Sequence, residues 1–462
     1  MSRVVRVAGG RFAPGHLGEL TRIVSFDLVD AAITEAGKAQ KRVRDLPARV
    51  VVYLLLAGAL FPALGYPLVW AKLVGGLDGL RVGSPTASAL RQARARLGPE
   101  PIRALFELLR GPAAEPSRRG VWWWGRLVVA IDGTQLGVAD EARNLMIYRK
   151  SGCNHGTTGY PLLRLVALVG CGTRTVIDAV FGPATSGETV YAAELVRSLR
   201  AGMILLADRN FASRTLVTAI AETGADLLVR VKNGRRLPAC RRLGDGSWIS
   251  RIGPVEVRVV RCEITIATTA GGRTGVYQLV TTVTDPAVPT AELIRLYHDR
   301  WKIETVYLEL KTTILGGRVL RARTPAGVEQ EVYALLCAYQ ALRLAIADAT
   351  LATPNLDPDR ASFTIALETA RDQLVHAAGV IADSVIDLVG TIGRAVLARP
   401  MPDRRLRVSP RVVKRAISNY AASTRKGRIH GPSYKATLVR HEAPLLRTGV
   451  KDLCLWPVAA GR

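Results

Sequence analysis

The sequence predicts an α/β core that carries a β-rich insertion and is flanked by helical N- and C-terminal regions. Three observations lead there. Short apolar runs ending near an acidic residue recur between residues 126 and 231, and continuous runs of that length suit strands buried on both faces. From Asn233 to Thr290 glycines, β-branched stretches and turn residues replace helical periodicity. Apolar segments of helical period, with few breakers, lie before residue 120 and after residue 325. The chain therefore divides into a helical N-terminal domain over 1–120, a core over 121–325 with its insertion at about 233–290, and a helical C-terminal region over 326–462. At 462 residues there is chain enough for two or three hydrophobic cores.

Charge bounds the partner. The net charge is +26, and the excess of Lys and Arg on a folded chain is the electrostatic footprint of a polyanion, of which DNA is the obvious one. No acid occurs from Arg404 to His441 while Arg and Lys accumulate, which predicts a basic element lying along a nucleic-acid backbone. The six cysteines are scattered without a Cys-x2-Cys pair, so neither a structural zinc nor a disulfide framework is expected, and a reduced, cytoplasmic, nucleoid-associated protein is the simplest account.

Within the N-terminal region, Val50–Ala71 carries no charge and has the length of a membrane span. Pro62, Gly65 and Pro67 interrupt it, so two short buried helices are expected and no membrane. The N-terminus has Arg3 and Arg6 but no apolar run of the signal-peptide kind. Ser84–Gly98 opens with cap residues and a proline and becomes a basic helix stopped by Gly98 and Pro99; Ile102–Leu109 forms a second. Arg91, Gln92, Arg94 and Arg96 make the first of these a candidate DNA-contacting helix, beside the plainer reading of a solvated surface helix.

In the core, Arg126–Thr134 reads as a strand ending in Asp132-Gly133-Thr134, and Met203–Phe211 repeats the design around Asp208. The C-terminal ends of such strands are where an α/β sheet exposes functional groups. Leu162–Val169 and Thr175–Phe181 read as further strands, Glu188–Leu199 as a helix capped by Ser186 or Thr185, Ser213 to about Glu222 as a helix, and Asp226–Val231 as a strand. Gly182–Thr189 mimics a P-loop, but Glu188 stands where the phosphate-binding Lys must be, so ATP is not implied. His155, in the glycine-rich stretch Ser151–Gly159, reads as a surface-loop residue. The insertion contains the strand-like runs Val255–Ile266 and Tyr277–Val283. Its Trp248 reads either as a packing aromatic or as a platform for an unpaired base. Glu329–Thr350 and Phe363–Val396 read as packing or dimerisation helices.

The most informative stretch is Tyr297-x2-Arg300-x3-Glu304-x6-Lys311. At about 100° of rotation per residue, these four positions fall within roughly 60° on one helix face. Such a face presents a carboxylate flanked by two cations and a phenol, which suits a metal and a phosphate held together. With Asp132 and Asp208 it completes a trio of acids able to hold two divalent cations through oxygen ligands.

The order Asp132, Asp208, Glu304, with Tyr297, Arg300 and Lys311 around the last acid, resembles the DDE transposases of the insertion-sequence-4 family. The resemblance covers nearly the whole chain, with Asn210 a small departure where relatives commonly have glycine. It implies a ribonuclease-H-like core. The three acids then bind two Mg²⁺ (or Mn²⁺) ions, and Tyr297, Arg300 and Lys311 contact phosphates near the transposon end. The expected partners are double-stranded DNA, both the terminal inverted repeats and the target, and a second subunit in a homodimeric synaptic complex. The expected reaction is cut-and-paste, with end cleavage followed by joining. A nuclease or resolvase of the same core, or a non-catalytic DNA-binding protein of that fold, are the alternatives.

Overall fold

The structure is a computed structural model, and it describes residues 4–6, 12–40, 42, 44–77, 81–115, 120–153, 156–268, 271–353, 356, 358–376, 390–398, 400–401 and 433–438. His155 and nearly all of the basic stretch 404–441 lie outside the described residues. The chain forms two compact units, Met1–Ser198 with Arg300–Pro402, and Leu199–Asp299 with Asp403–Arg462.

The first unit begins with a two-stranded antiparallel pair, β1 (Val4–Arg6) and β2 (Phe12–Pro14), and helices α1 (Phe26–Glu35), α2 (Ala48–Leu60), α3 (Tyr66–Val74), α4 (Ala87–Leu97) and α5 (Glu100–Leu109). Each helix end has a local cause. Ser25 and Thr86 cap α1 and α4 by accepting from the Leu28 and Ala89 N–H groups. Gly98, at φ +73, closes α4 in a conformation that costs a side chain strain. The charge-free Val50–Ala71 stretch is two helices parted after Leu60, as the prolines require, and every residue of α2 but Arg49 is buried. Strands β3 (Trp122–Trp123) and β4 (Arg126–Gly137), the short helix α6 (Ala142–Leu145) and the small pair β5 (Ser151–Cys153) and β6 (Gly156–Thr158) come next. β7 (Leu162–Gly170), β8 (Val176–Pro183) and α7 (Glu188–Leu195) complete this stretch. Here β3, β4, β7 and β8 join in that order, all antiparallel. Two details correct the sequence reading. β4 runs on to Gly137, so Asp132 lies mid-strand rather than at a strand end, and α7 has Gly187, without a side-chain bond, at its N-cap instead of Ser186 or Thr185.

The second unit contains β9 (Met203–Ala207), α8 (Arg214–Glu222) capped by Ser213, and β10 (Asp226–Val231), which pairs parallel to β9. The insertion continues this sheet. β11 (Arg241–Arg242), β12 (Trp248–Ile252), β13 (Val255–Thr268) and β14 (Gly271–Thr281) form an antiparallel meander whose last strand pairs with β10. Helix α9 (Thr290–His298) follows, and β15 (Ser433–Leu438) adds to the far half of β13.

The chain returns to the first unit with α10 (Trp301–Leu308), a π-helical segment Glu309–Ile314, α11 (Pro325–Leu351), α12 (Phe363–Val375) and α13 (Gly390–Leu397). Of the helical stretch expected over Phe363–Val396, α12 closes at Val375 and α13 resumes at Gly390, with 377–389 outside the described residues. Among the described residues α11 is long and apolar enough to cross a membrane, yet 83% of its apolar window is buried inside the protein, as in a core helix. Its polar side chains explain how it holds the N-terminal helices. Gln330 donates to the carbonyls of Arg94 and Gly98 at the end of α4, at 2.9 and 2.7 Å. Gln340 does the same for Leu109 at the end of α5 and Gly111 beyond it, at 3.2 and 3.0 Å, while accepting from the Val176 N–H at 2.7 Å. Arg321, paired with Glu331 of α11, reaches the Leu64 carbonyl at 2.5 Å and that of Gly58 in α2. Carbonyls at helix C-termini have no partner within the helix, so a buried end needs such a donor.

Candidate active site

The site is built on β4. Leu127–Ile131 are buried, and the strand then brings Asp132 and Thr134 to one face and Gly133 to the other, by the two-residue period of a strand. Helix α10 packs against β4 through Tyr307, which is 6% exposed. Asp132 and Ala167 face one another in the β4–β7 register, and the Tyr307 hydroxyl stands between them. It donates to the Asp132 carbonyl and accepts from the Ala167 N–H at 3.2 Å. Burial first, and the Asp132 charge second, hold the Tyr307 phenol well above its usual pKa, so it remains a donor at neutral pH.

On the open face, Arg300 joins the two acids of the first unit. Its guanidinium lies 3.8 Å from the Asp132 carboxylate and 3.5 Å from that of Glu304. Lys311 donates to the Thr134 hydroxyl at 3.2 Å, so the Asp-Gly-Thr motif meets both cations of the Tyr-Arg-Glu-Lys signature. Arg300 is largely buried while Glu304 keeps 36% of its side chain exposed. Two carboxylates around one positive charge form an oxygen set of the kind hard divalent cations take. Among the described residues no three side chains are gathered closely enough to hold a metal, and Arg300 shares the pair instead.

The signature is not one continuous helix, and this corrects the single-face geometry expected from its spacing. α9 ends at His298, a turn at Asp299 and Arg300 intervenes, and α10 begins at Trp301. Tyr297 therefore sits on α9, and Arg300 precedes the helix that holds Glu304. The i,i+4 pair of Arg300 and Glu304 survives because both residues keep right-handed backbone. Lys311 falls in the π-helical segment, where each residue turns the chain by less than in an α-helix.

Beneath that segment lies a buried ion network that periodicity alone does not show. Glu309 meets Arg174 at 2.8 Å and also Arg343, and Tyr339 donates to it at 3.0 Å. Arg174 reaches Asp359 at 2.5 Å, and Lys302 pairs with the same acid. Burial works against the Glu309 charge, but Arg343 and Arg174 outweigh it and hold the carboxyl below its ordinary pKa. The signal for this network was a single charge within each of three apolar stretches. Such charges must find one another when buried.

Glu188, from the P-loop-like segment, lies across Gly133. A Cβ at Gly133 would meet the Glu188 Oε1 at 2.7 Å, and Arg164 approaches that same oxygen at 3.7 Å. A side chain at this position would force the Glu188 carboxylate to shift away from the Asp132 strand.

The other expected site residues are placed as follows. Asp208 directly follows β9 in the second unit and accepts from the Asn210 N–H at 2.7 Å, capping the 3₁₀ turn Arg209–Phe211. Trp248 is half-buried in β12, with its indole N–H donating to the Leu237 carbonyl at 3.0 Å. On α4, Arg91 and Arg96 are exposed, whereas Arg94 turns inward, its guanidinium 3.7 Å from the Tyr66 ring centre.

The stretch that holds the acid on β4, the acid directly after β9 and the helical Glu between Arg and Lys is that of a DDE transposase. Residues 123–341 match the family described as Transposase DDE domain, and residues 14–107 match Insertion element 4 transposase N-terminal. The chain belongs to the insertion-element-4 transposases, its core is ribonuclease-H-like, and it is an enzyme of DNA cleavage and transfer. It is 26% identical over 417 residues to Transposase InsG for insertion sequence element IS4 of Escherichia coli (strain K12), which covers 87% of this chain and 92% of that one. It is also 29% identical over 140 residues to Putative transposase InsZ of the same organism, 30% of this chain and 47% of the relative. A solved structure, the cryo-EM piggyBac transposase synaptic complex with hairpin DNA, aligns over 88% of this chain and 89% of its own. The match has 12% identity and a TM-score of 0.43, too slight to carry an argument.

Proposed function

We propose that the protein binds the terminal inverted repeats of an insertion sequence, cuts the ends and joins them to target DNA, by cut-and-paste. The observation that carries this reading is the Arg300 guanidinium shared by Asp132 and Glu304, with Lys311 on the adjacent Thr134. Asp132, Asp208 and Glu304 are the proposed ligands of two divalent cations, Mg²⁺ or Mn²⁺, gathered only on engagement of metal and DNA; the ions would supply a polarised water or 3′-hydroxyl and charge stabilisation on the attacking and leaving oxygens. Before DNA arrives, Arg300 offsets the repulsion between two carboxylates. On engagement its planar fork turns to a scissile-strand phosphate, which it captures in bidentate fashion, and Lys311 supplies a point charge to a neighbouring one. Tyr297 contributes a further phosphate contact. Arg91 and Arg96 of α4 contact the end DNA, with Arg94 supporting that helix from within, and Trp248 stacks on an unpaired base. A homodimer holding paired ends completes the assembly.

Glu304→Gln tests the proposal. The expected result is end binding near wild-type level with cleavage in Mg²⁺ lost by a factor of at least about 10². Cleavage at the wild-type rate would remove Glu304 from the acid trio.

A further inference from the structure

The first unit contains a cavity of about 510 Å³ between the α1–α2 connection and α4, and no residue of the catalytic face lines it. Lys38, Arg42, Arg44 and Arg96 form its cationic wall, and among the described residues no acid lines it. Arg42, Arg44 and Arg96 are exposed and have no acidic partner among the described residues, while Lys38 reaches Glu100 at 3.7 Å. Its floor is apolar, with Leu46, Val51 and Leu97 each at most 5% exposed. Gln40, also in the wall, accepts from the Ala48 N–H at 3.1 Å through its amide oxygen.

A solvated basic face needs neither a hollow nor a hydrophobic floor. This cavity pairs donors with an apolar base, which fits a ligand that is anionic outside and C–H-rich within. A deoxyribose and its flanking phosphates have that chemistry: the sugar rests on the floor and the phosphates meet the arginines. The net charge of +26 makes a nucleic-acid strand the complementary partner. We infer that this cavity is a sugar-phosphate subsite for one strand of duplex DNA, engaged apart from the cleavage face. The inference rests on the transposase reading and deepens it, because it assigns backbone contacts to the α1–α2 connection. Sequence spacing had marked only α4.

Two variants of the full chain test it, chosen at exposed positions so that folding is preserved. Arg42→Gln/Arg44→Gln removes two phosphate contacts. In fluorescence-anisotropy titrations with a DNA duplex, the slope of log K against log salt should become shallower by about 2, and affinity should fall on the order of sixtyfold at about 0.1 M salt. Ala39→Trp fills the cavity from its exposed rim without changing charge. It should weaken binding several-fold and leave the salt slope as it was. If Ala39→Trp binds like wild type, the arginines act as a diffuse field and the subsite is overturned. If both variants lose a polyglutamate peptide but keep DNA, the occupant is an acidic protein and the inference falls. A wild-type chain that binds no duplex at any salt overturns the transposase reading together with the subsite.

Discussion

Removing one oxygen atom from the centre of the site separates support from chemistry. In Tyr307→Phe the bridge between the Asp132 carbonyl and the Ala167 N–H is lost. If the strands stay where they are, the two hydrogen bonds that the hydroxyl makes are lost, at about 0.5–1.5 kcal/mol each, so roughly 1–3 kcal/mol together. The first unit holds about 300 residues. With an unfolding entropy near 2.1 cal/mol/K per residue, that loss lowers Tm by about 2–5 °C. The alternative relaxation is that β4 and β7 close on each other at this register pair. Most of the stability then returns, but Asp132 shifts relative to Arg300, and a misplacement of about 1 Å at a reacting centre costs on the order of 10² in rate. Thermal melting and single-turnover cleavage of an end duplex, measured on the same preparation, distinguish the two. The variant must lose stability, activity or both. Wild-type values in each assay would refute the bridging role.

Further outcomes follow from the buried network and from Gly133. Glu309→Gln leaves Arg343 buried without its carboxylate, at a cost of about 3–5 kcal/mol, or about 5–8 °C in Tm. Adding Arg343→Met removes the stranded charge and should recover part of that loss in the same melt. Because the Glu309 carboxyl titrates below its ordinary value in the folded chain, its contribution is present above the ordinary range near about 4.3 and fades as pH falls through it. Wild type should therefore lose Tm more steeply than Glu309→Gln between about pH 5 and 3. Gly133→Ala drives its new methyl into the Glu188 carboxylate and should slow cleavage. Combining it with Glu188→Ala should restore activity if the clash is the cause, and a double variant as slow as the single one would show that it is not.

Much of the site was legible because its chemistry is local. The strand around Asp132 and the strand before Asp208 announce themselves as apolar runs broken by an acid, and Asp226–Val231 has the bounds the sequence predicts. The i,i+4 relation of Arg300 and Glu304 follows from spacing alone. What spacing could not show was where helical rotation changes. The π-helical segment at Glu309 is tied to tertiary partners, Arg174 and Arg343, that are distant in sequence. Tyr307 was passed over for a similar reason. One more aromatic on an apolar helix face reads as packing, and its hydroxyl has meaning only once β4 and β7 are paired. The inward turn of Arg94 likewise depends on Tyr66, a ring supplied by another helix.

The clamping of α4 and α5 by glutamines of α11 has a consequence for how the molecule is made. The N-terminal helices leave the ribosome more than 200 residues before Leu351 does. At about 5–20 residues per second they wait roughly 10–50 s for their last hydrogen-bond donors. Throughout that interval α2, a nearly uninterrupted hydrocarbon surface, lacks one of the helices that finally cover it. Nascent chains stalled or truncated before α11 should therefore be ready clients for chaperones.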